Sequence, residues 1–429
     1  MNAGFIWLAV TTGFLSVLTP CVFPMIPITV AFFSSRVESR QQALKNAGLF
    51  ALGIVLTFSV LGLVLASVFG ATGLNRFAAD PTVNLILAAF FVVFAANLFG
   101  WVQLALPWKV LTAAERASAA SSRSSIGALL MGATFTLTSV TCTAPFVGTL
   151  LVLAARGTWS TPVLGMLIYS SAFALPFFFL AVAPRYLSKL PGSGSWMATL
   201  RVIMGLLEIA AAIKFASNAD MVLAWGVLSR DVVLLAWAIL SGVAAIYLLR
   251  PVWIRPTIRR QDVAPLGVAL GATALAVWLA TGVNGKPRAA VEAFLPSQPA
   301  VLSESSAPSG AEWILNNYDG ALATARASNK LVFVDFTGYT CTNCRWMEAN
   351  VFNRPDVSSE LGEFVLSRLY TDGEGGIYER QQEFQERQFG TVALPLYAVV
   401  NADGTVRATF SGLTRNPAEF IAFLRKART

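Results

Sequence analysis

Four cysteines and no histidine bound the chemistry open to this chain. Without an imidazole, Ser-His and Cys-His nucleophile pairs, His-ligated metals and His-ligated haem all drop out. The cysteines fall into two pairs. Cys341 and Cys344 form a Cys-x-x-Cys in the polar stretch "VDFTGYTCTNCRW", whereas Cys21 and Cys142 each lie in an apolar run. A Cys-x-x-Cys that follows a strand and opens a helix is the thioredoxin redox arrangement. A thiol at the first turn of a helix meets unpaired N–H groups and the positive end of the dipole, which favours its thiolate. Cys341 is expected to be that nucleophile, with Cys344, one turn further in, as the shielded resolving thiol. A structural disulfide or half of a zinc site is the alternative, but zinc would need two more ligands and none lies nearby.

Three more residues belong to this neighbourhood. Asp335 ends the strand beneath the motif, and Glu348 lies one turn after Cys344. Buried there, the two carboxylates would raise the cysteines' pKa values by repulsion and pass protons during exchange; as surface acids they would do neither. Pro395 follows Leu394 just before an apolar strand, where a cis peptide would bring the backbone beside the dithiol and offer a partner's extended segment an edge.

The second pair sits in two similar segments, "LTPCVFPMIPIT" (18–29) and "TSVTCTAPFVGT" (138–149), each a Cys-x-x-Pro flanked by threonines. Pro24, Pro27 and Pro145 remove backbone donors, so these helices are expected to break beside Cys21 and Cys142. Each segment opens a group of three spans, which makes the second copy inverted in the bilayer. The pairing brings Cys21 and Cys142 towards the pseudo-symmetry axis, and two ordinary buried thiols are the alternative. Thiol exchange requires sulfur contact, so a mid-membrane dithiol must be exposed alternately to the two sides. Pro176, Gly132 and Gly148 are hinge candidates, with packing as the alternative role for each. Glu208, inside the apolar run "MGLLEIAAAIKFAS", is a candidate for proton handling, and Lys214 is expected to snorkel to the headgroups.

The elements that must carry these residues follow from composition. With 55% hydrophobic and 13% charged residues, most of the 429-residue chain belongs in lipid. Apolar runs long enough for a hydrocarbon core of about 30 Å occur at 5–33, 47–70, 84–105, 126–154, 162–183, 197–216, 231–249 and 264–283. The first, third, fifth and seventh loops hold 13 Lys and Arg against 4 in the even loops, which puts the odd loops in the cytoplasm and both termini outside. The net charge of +8 is therefore topogenic, and no nucleic-acid partner is implied. The first run lacks a basic n-region and is too long for a signal sequence, so it reads as a mature helix.

The expected organisation is a polytopic α-helical membrane domain over 1–283, with eight spans and inverted three-helix repeats, then a Pro/Ser/Ala-rich linker over 284–310 and an α/β thioredoxin-like domain over 311–429. That last domain reads as a helix (311–327), the strand "LVFVDF", a helix from Cys341, a strand near 364–370 and a helix at 376–388. Then come "LPLYAVV", a turn at Ala402-Asp403-Gly404, "TVRATF" and a closing helix at 416–427.

Taken together, "TPCVFPMIPI", "NLFG", "TCTAPFVG", "ALPFFFLA", "MGLLEIAAAIKF", "DFTGYTCTNCRWMEANVF" and "LPLYAVV" resemble the DsbD family of transmembrane thiol-disulfide reductases, and the membrane core is similar to the smaller CcdA proteins. The resemblance implies electron flow from cytoplasmic thioredoxin to Cys21 and Cys142, then to Cys341 and Cys344, and on to periplasmic thiol-disulfide proteins across a bacterial inner membrane. It implies no cofactor beyond these disulfides, and it places Asp335 and Glu348 at acidic positions around the outer site. Two departures stand out. The family's N-terminal immunoglobulin-like domain is absent from this sequence, so the final acceptor is expected to be reached by Cys341 directly or through a separate protein. Thr340 stands where a Trp commonly precedes the first active-site cysteine. Two other readings are a disulfide-generating oxidase that passes electrons inward to quinone, and a solute or metal transporter with a tethered redox-sensing domain.

Overall fold

The computed structural model describes residues 3–17, 19, 22, 40–101, 127–137, 139, 160–182, 195–254, 263–283, 289–296 and 312–429. Eight of its helices fall in the apolar part: α1 (Ala3–Val17), α2 (Arg40–Ala79), α3 (Pro81–Leu98), α4 (Gly127–Leu137), α5 (Ser160–Val182), α6 (Ser195–Val222), α7 (Arg230–Ile254) and α8 (Val263–Ala280). Among the described residues three stretches are long and apolar enough to cross a bilayer: Leu44–Val64, Pro81–Leu98 and Arg230–Arg250. At about 1.5 Å per residue, such stretches reach about 27–32 Å. Four shorter apolar helices accompany them, within α1, α4, α5 and α8. This is a helical membrane-type domain, and Cys21, Cys142, Pro24, Pro27, Pro145 and Gly148 lie outside the described residues.

The chain divides into two compact units, residues 1–74 with 93–208, and residues 75–92 with 209–429. In the first, Phe50, Phe58, Phe135, Tyr169, Phe173 and Phe177 form a buried aromatic core. Glycine lets the helices close on it. A Cβ at Gly132 would collide with the Phe50 carbonyl oxygen, and one at Gly53 with that of Leu129, so α2 and α4 touch backbone to backbone. Gly132, a hinge candidate by sequence, is thus a packing residue. Gly13 plays the same part between α1 and α5, where a Cβ would lie 2.6 Å from the Tyr169 carbonyl oxygen. The Tyr169 hydroxyl donates to Ser16 Oγ at 2.8 Å, which satisfies both groups in an apolar setting. Pro176 lies within α5, which continues unbroken to Val182.

In the second unit, Lys214 is half-buried on α6 and makes a polar contact one turn along the helix. Its Nζ donates to Asn218 Oδ1 at 2.8 Å, and Asn218 donates to Asn84 Oδ1 at 3.3 Å, a buried polar contact that offsets desolvation better than a solitary ammonium would. α7 and α8 pack on each other through Val233, Leu234, Ala238 and Leu279. Within the stretch read as linker, Ala289–Glu292 forms a helical turn, and Arg230 donates to both Glu292 carboxylate oxygens and to the Gly282 carbonyl.

The same unit carries a five-stranded sheet of order β1-β3-β2-β4-β5, with β1 (Trp313–Leu315), β2 (Val332–Thr337), β3 (Val365–Tyr370), β4 (Leu396–Val400) and β5 (Val406–Ser411). β1, β3 and β2 are parallel, whereas β4 and β5 join antiparallel. Helices α9 (Tyr318–Ser328), α10 (Thr342–Met347), α11 (Pro355–Leu361), α12 (Gly376–Phe389) and α13 (Pro417–Arg428) complete a thioredoxin-like domain. Period-two alternation sorts the fully buried β2: Val332, Val334 and Phe336 face α9, while Phe333 faces the aromatic layer of Phe352, Tyr397 and Phe420.

Two elements differ from the sequence expectation. The helix expected from 311 is preceded by the short strand β1 and begins only at Tyr318, because the Asn317 side chain caps it by accepting from the Gly320 N–H at 2.9 Å. The helix from Cys341 is interrupted by one π-helical turn, Glu348–Phe352, and restarts at Pro355, whose missing N–H suits a first helical position.

Candidate active site

Cys341 caps the N-terminus of α10, and its Sγ accepts from the Cys344 N–H at 3.2 Å. The two sulfurs are joined in a disulfide with Cα atoms 5.3 Å apart. Cys341 is half-buried while Cys344 is 1% exposed, so an incoming thiolate meets Cys341 first. This asymmetry is the one expected from the motif, with an accessible sulfur at the helix end and a shielded one a turn below it.

Beneath the disulfide the expected carboxylates are present, but they are not alone. Asp335 is 1% exposed and accepts from Arg368 Nε at 2.9 Å; Arg368 is its register partner on β3. Glu348, on the π turn, accepts from Arg345 at 2.7 Å and from the Thr337 hydroxyl at 3.3 Å, with the Arg368 guanidinium 3.7 Å away. Two acids thus meet two guanidiniums. The Arg partners offset part of the negative charge that the two acids bring to this neighbourhood. Burial still dominates at Asp335, whose carboxyl is pushed up to about 6 although Arg368 pulls the other way.

Sequence reasoning missed Arg345 and Arg368. Arg345 directly follows the motif, and Arg368 is the only charged residue of the strand "VLSRLY", which was the available signal. Both also lie over aromatic rings, Arg368 at 4.1 Å from the Trp313 centroid and Arg345 at 5.6 Å from that of Tyr370. On the other side of Asp335 in register stands Tyr397 of β4, fully buried.

The Leu394–Pro395 peptide is cis, and the Pro395 carbonyl accepts from the Gly412 N–H at 2.8 Å. Cys341, Cys344, Asp335 and Glu348 thus come together around α10, and Pro395 leads into the strand next to β2. Glu208 is fully buried in the middle of α6, in the other unit. Among the described residues no group of His, Cys, Asp or Glu is arranged to hold a metal ion.

Comparison with known proteins fits this geometry. Residues 3–219, just over half of the chain, match the family described as Cytochrome C biogenesis protein transmembrane domain. The chain belongs to that family. Its C-terminal part, residues 318–428, matches the thioredoxin-like domain family. With the apolar helices, this makes it a multi-pass membrane protein that carries a thioredoxin-like domain. It is 27% identical over 369 residues to the thiol:disulfide interchange protein DsbD 1 of Pseudomonas aeruginosa, covering 83% of this chain and 59% of that protein. To the thiol:disulfide interchange proteins DsbD of Vibrio cholerae and Vibrio vulnificus it is 30% and 31% identical, each over 81% of this chain and 55% of the relative. The chain therefore spans less than two thirds of the length of these curated relatives.

Proposed function

We propose that the chain is a protein-disulfide reductase of a bacterial inner membrane, carrying electrons from cytoplasmic thioredoxin through Cys21 and Cys142 to Cys341 and Cys344, and then to periplasmic protein disulfides. The observation that carries this reading is the half-exposed Cys341 at a helix N-terminus over a buried Cys344, in a chain whose residues 3–219 match a cytochrome c biogenesis membrane family. In this reading 1–283 is the electron-transfer domain, with eight spans in inverted groups of three and both termini periplasmic. Residues 284–310 link it to the thioredoxin-like domain at 311–429. The names of the relatives give the transporter alternative no support.

The exchange balances as two displacements. A thiolate of the reduced membrane pair attacks Sγ of Cys341; a mixed disulfide forms between the two domains, the Cys341–Cys344 bond breaks, and Cys344 leaves as thiolate and takes up a proton. The second membrane thiol then loses its proton and attacks, closing Cys21–Cys142 and releasing Cys341 as thiolate. Two electrons have moved outward. Cys341 next attacks the disulfide of a periplasmic partner docked along the Pro395 segment, and Cys344 loses its proton and resolves the mixed disulfide. Asp335, buried on β2 with its carboxyl near 6, is the assigned proton acceptor for Cys344, and Glu348 stands beside Arg368, the guanidinium that holds Asp335. Pro24 and Pro145 are assigned to the membrane pair by their sequence spacing from Cys21 and Cys142, and Glu208 to proton balance.

Trapping the thiol state in cells tests this. Loss of cytoplasmic thioredoxin reductase should leave Cys341 and Cys344 oxidised; if they stay reduced, electrons do not come from that source.

A further inference from the structure

The three residues that lead into the dithiol, Gly338, Tyr339 and Thr340, are held by a carboxylate that no motif marks. Asp372 lies two residues beyond β3. Its Oδ1 accepts the Tyr339 N–H at 2.6 Å, and its Oδ2 accepts the Thr340 N–H at 2.9 Å and the Thr340 hydroxyl at 2.9 Å. Glycine at 338 permits this closure, because a Cβ there would stand 2.5 Å from Asp372 Oδ2. The Tyr339 ring stacks on Tyr370 with centroids 4.2 Å apart, and its hydroxyl meets that of Tyr378 at 3.3 Å. The opposite face of the turn is held as well: the Gly338 carbonyl accepts the Cys341 N–H at 3.3 Å and the Arg345 guanidinium at 3.0 Å.

The chemical consequence follows from where the donors point. Backbone N–H groups beside an attacking sulfur stabilise its thiolate when they are aimed at it. Here the two N–H groups immediately before Cys341 are occupied by Asp372 instead. The carboxylate also brings negative charge to the turn that presents the sulfur. Both effects disfavour the thiolate, and a dithiol whose thiolate is less stabilised is more readily oxidised, so it is the stronger reductant. Burial raises the Asp372 carboxyl above its ordinary value, although its three hydrogen bonds and the Arg345 guanidinium pull the other way.

We propose that Asp372, acting through Thr340 and the Tyr339–Thr340 amides, is a positioning residue of the Cys341–Cys344 couple that keeps this couple reducing. The inference rests on the redox role given to that pair under the proposed function. The test uses the full-length chain in detergent with Cys21→Ser and Cys142→Ser, so that one dithiol is read. It is equilibrated in dithiothreitol redox buffers, and its thiols are then alkylated with a mass-tagged maleimide. In Asp372→Ala the equilibrium should move towards the dithiol by tenfold or more, which is about 30 mV. Thr340→Val should move it two- to fivefold in the same direction, and Thr340→Ser should restore the parent value. A role confined to stability would lower the unfolding temperature and leave the equilibrium constant where it was.

Parent-like constants in both Asp372→Ala and Thr340→Val would overturn the proposal. Where Asp372→Ala does not fold, Thr340→Val decides by itself, and an unmoved constant rejects the coupling. A parent chain that exchanges no electrons with the buffer would instead reject the redox role, and this inference with it.

Discussion

The helical first unit and the thioredoxin-like domain solve the same problem, holding chemistry-bearing residues in place, by opposite means. Between α1 and α5, and between α2 and α4, positions are set by backbone approach at Gly13, Gly53 and Gly132, with one buried hydroxyl pair, Tyr169 to Ser16. Around α10 they are set by paired charge, with Arg368 on Asp335 and Arg345 on Glu348. The contrast follows from solvent. Apolar burial gives little drive between helices in lipid, so close van der Waals contact must supply it. A water-facing domain can shield guanidiniums under a sheet, where each charge needs a partner because an unpaired one is costly. The lesson is that the thioredoxin-like domain positions its residues around α10 by paired charge, whereas the helical unit positions its own by shape.

The largest expected effect breaks the electrostatic side. Arg368→Met leaves Asp335 buried without its cation, and removing one partner of a buried pair costs about 3–5 kcal/mol. Hydrogen exchange of β2 and β3 amides in the full chain should show the loss, and the double variant Arg368→Met/Asp335→Leu should recover most of it. No recovery would mean that the guanidinium matters mainly through its contact with Trp313.

Next in size, Gly132→Val breaks the shape side. Its side chain would enter the Phe50 backbone, and overpacking of this kind costs about 1–3 kcal/mol. Thermal aggregation of the detergent-solubilised chain should begin at lower temperature, while exchange protection in the thioredoxin-like domain stays unchanged.

A smaller effect sharpens the comparison through pH. The Asp335 carboxyl, ordinarily at 3.8, titrates at about 6 in the folded state. Between these values the folded protein holds more protons than the unfolded one, so the contribution of Asp335 to stability is full below about pH 4, falls as pH rises, and levels off above about 6. Asp335→Asn should abolish that slope for the β2 and β3 amides and leave the pH response of the helical unit alone.

How much of this was legible beforehand depended on whether the signal was local. The Cys-x-x-Cys at a helix start, the burial of Asp335 and the cis bond at Leu394–Pro395 are written in a few neighbouring residues, and each stands as expected. Arg368, Tyr397 and Asp372 reach the site through strand register across 32 to 62 positions, shown by Asp335 facing Arg368 on one side and Tyr397 on the other. No local period carries that information. The π turn at Glu348–Phe352 escaped for a related reason: nothing in "EANVF" forbids a plain α-helix, and the turn is recognised only in the folded domain. In the membrane part, apolar runs located the described helices, three of which hold stretches of spanning length, while the segments around Cys21 and Cys142 lie outside the described residues.

The central claim, that electrons reach Cys341–Cys344 through Cys21 and Cys142, is tested most directly in sealed liposomes. The full chain is reconstituted with its thioredoxin-like domain outside, reduced thioredoxin with its reductase and NADPH is enclosed within, and the outer pair is read by alkylation. The account predicts that Cys341 and Cys344 become reduced, and that they stay oxidised when Cys142 is replaced by Ser. Reduction that is equally fast in Cys142→Ser, or none in the parent chain, would contradict it.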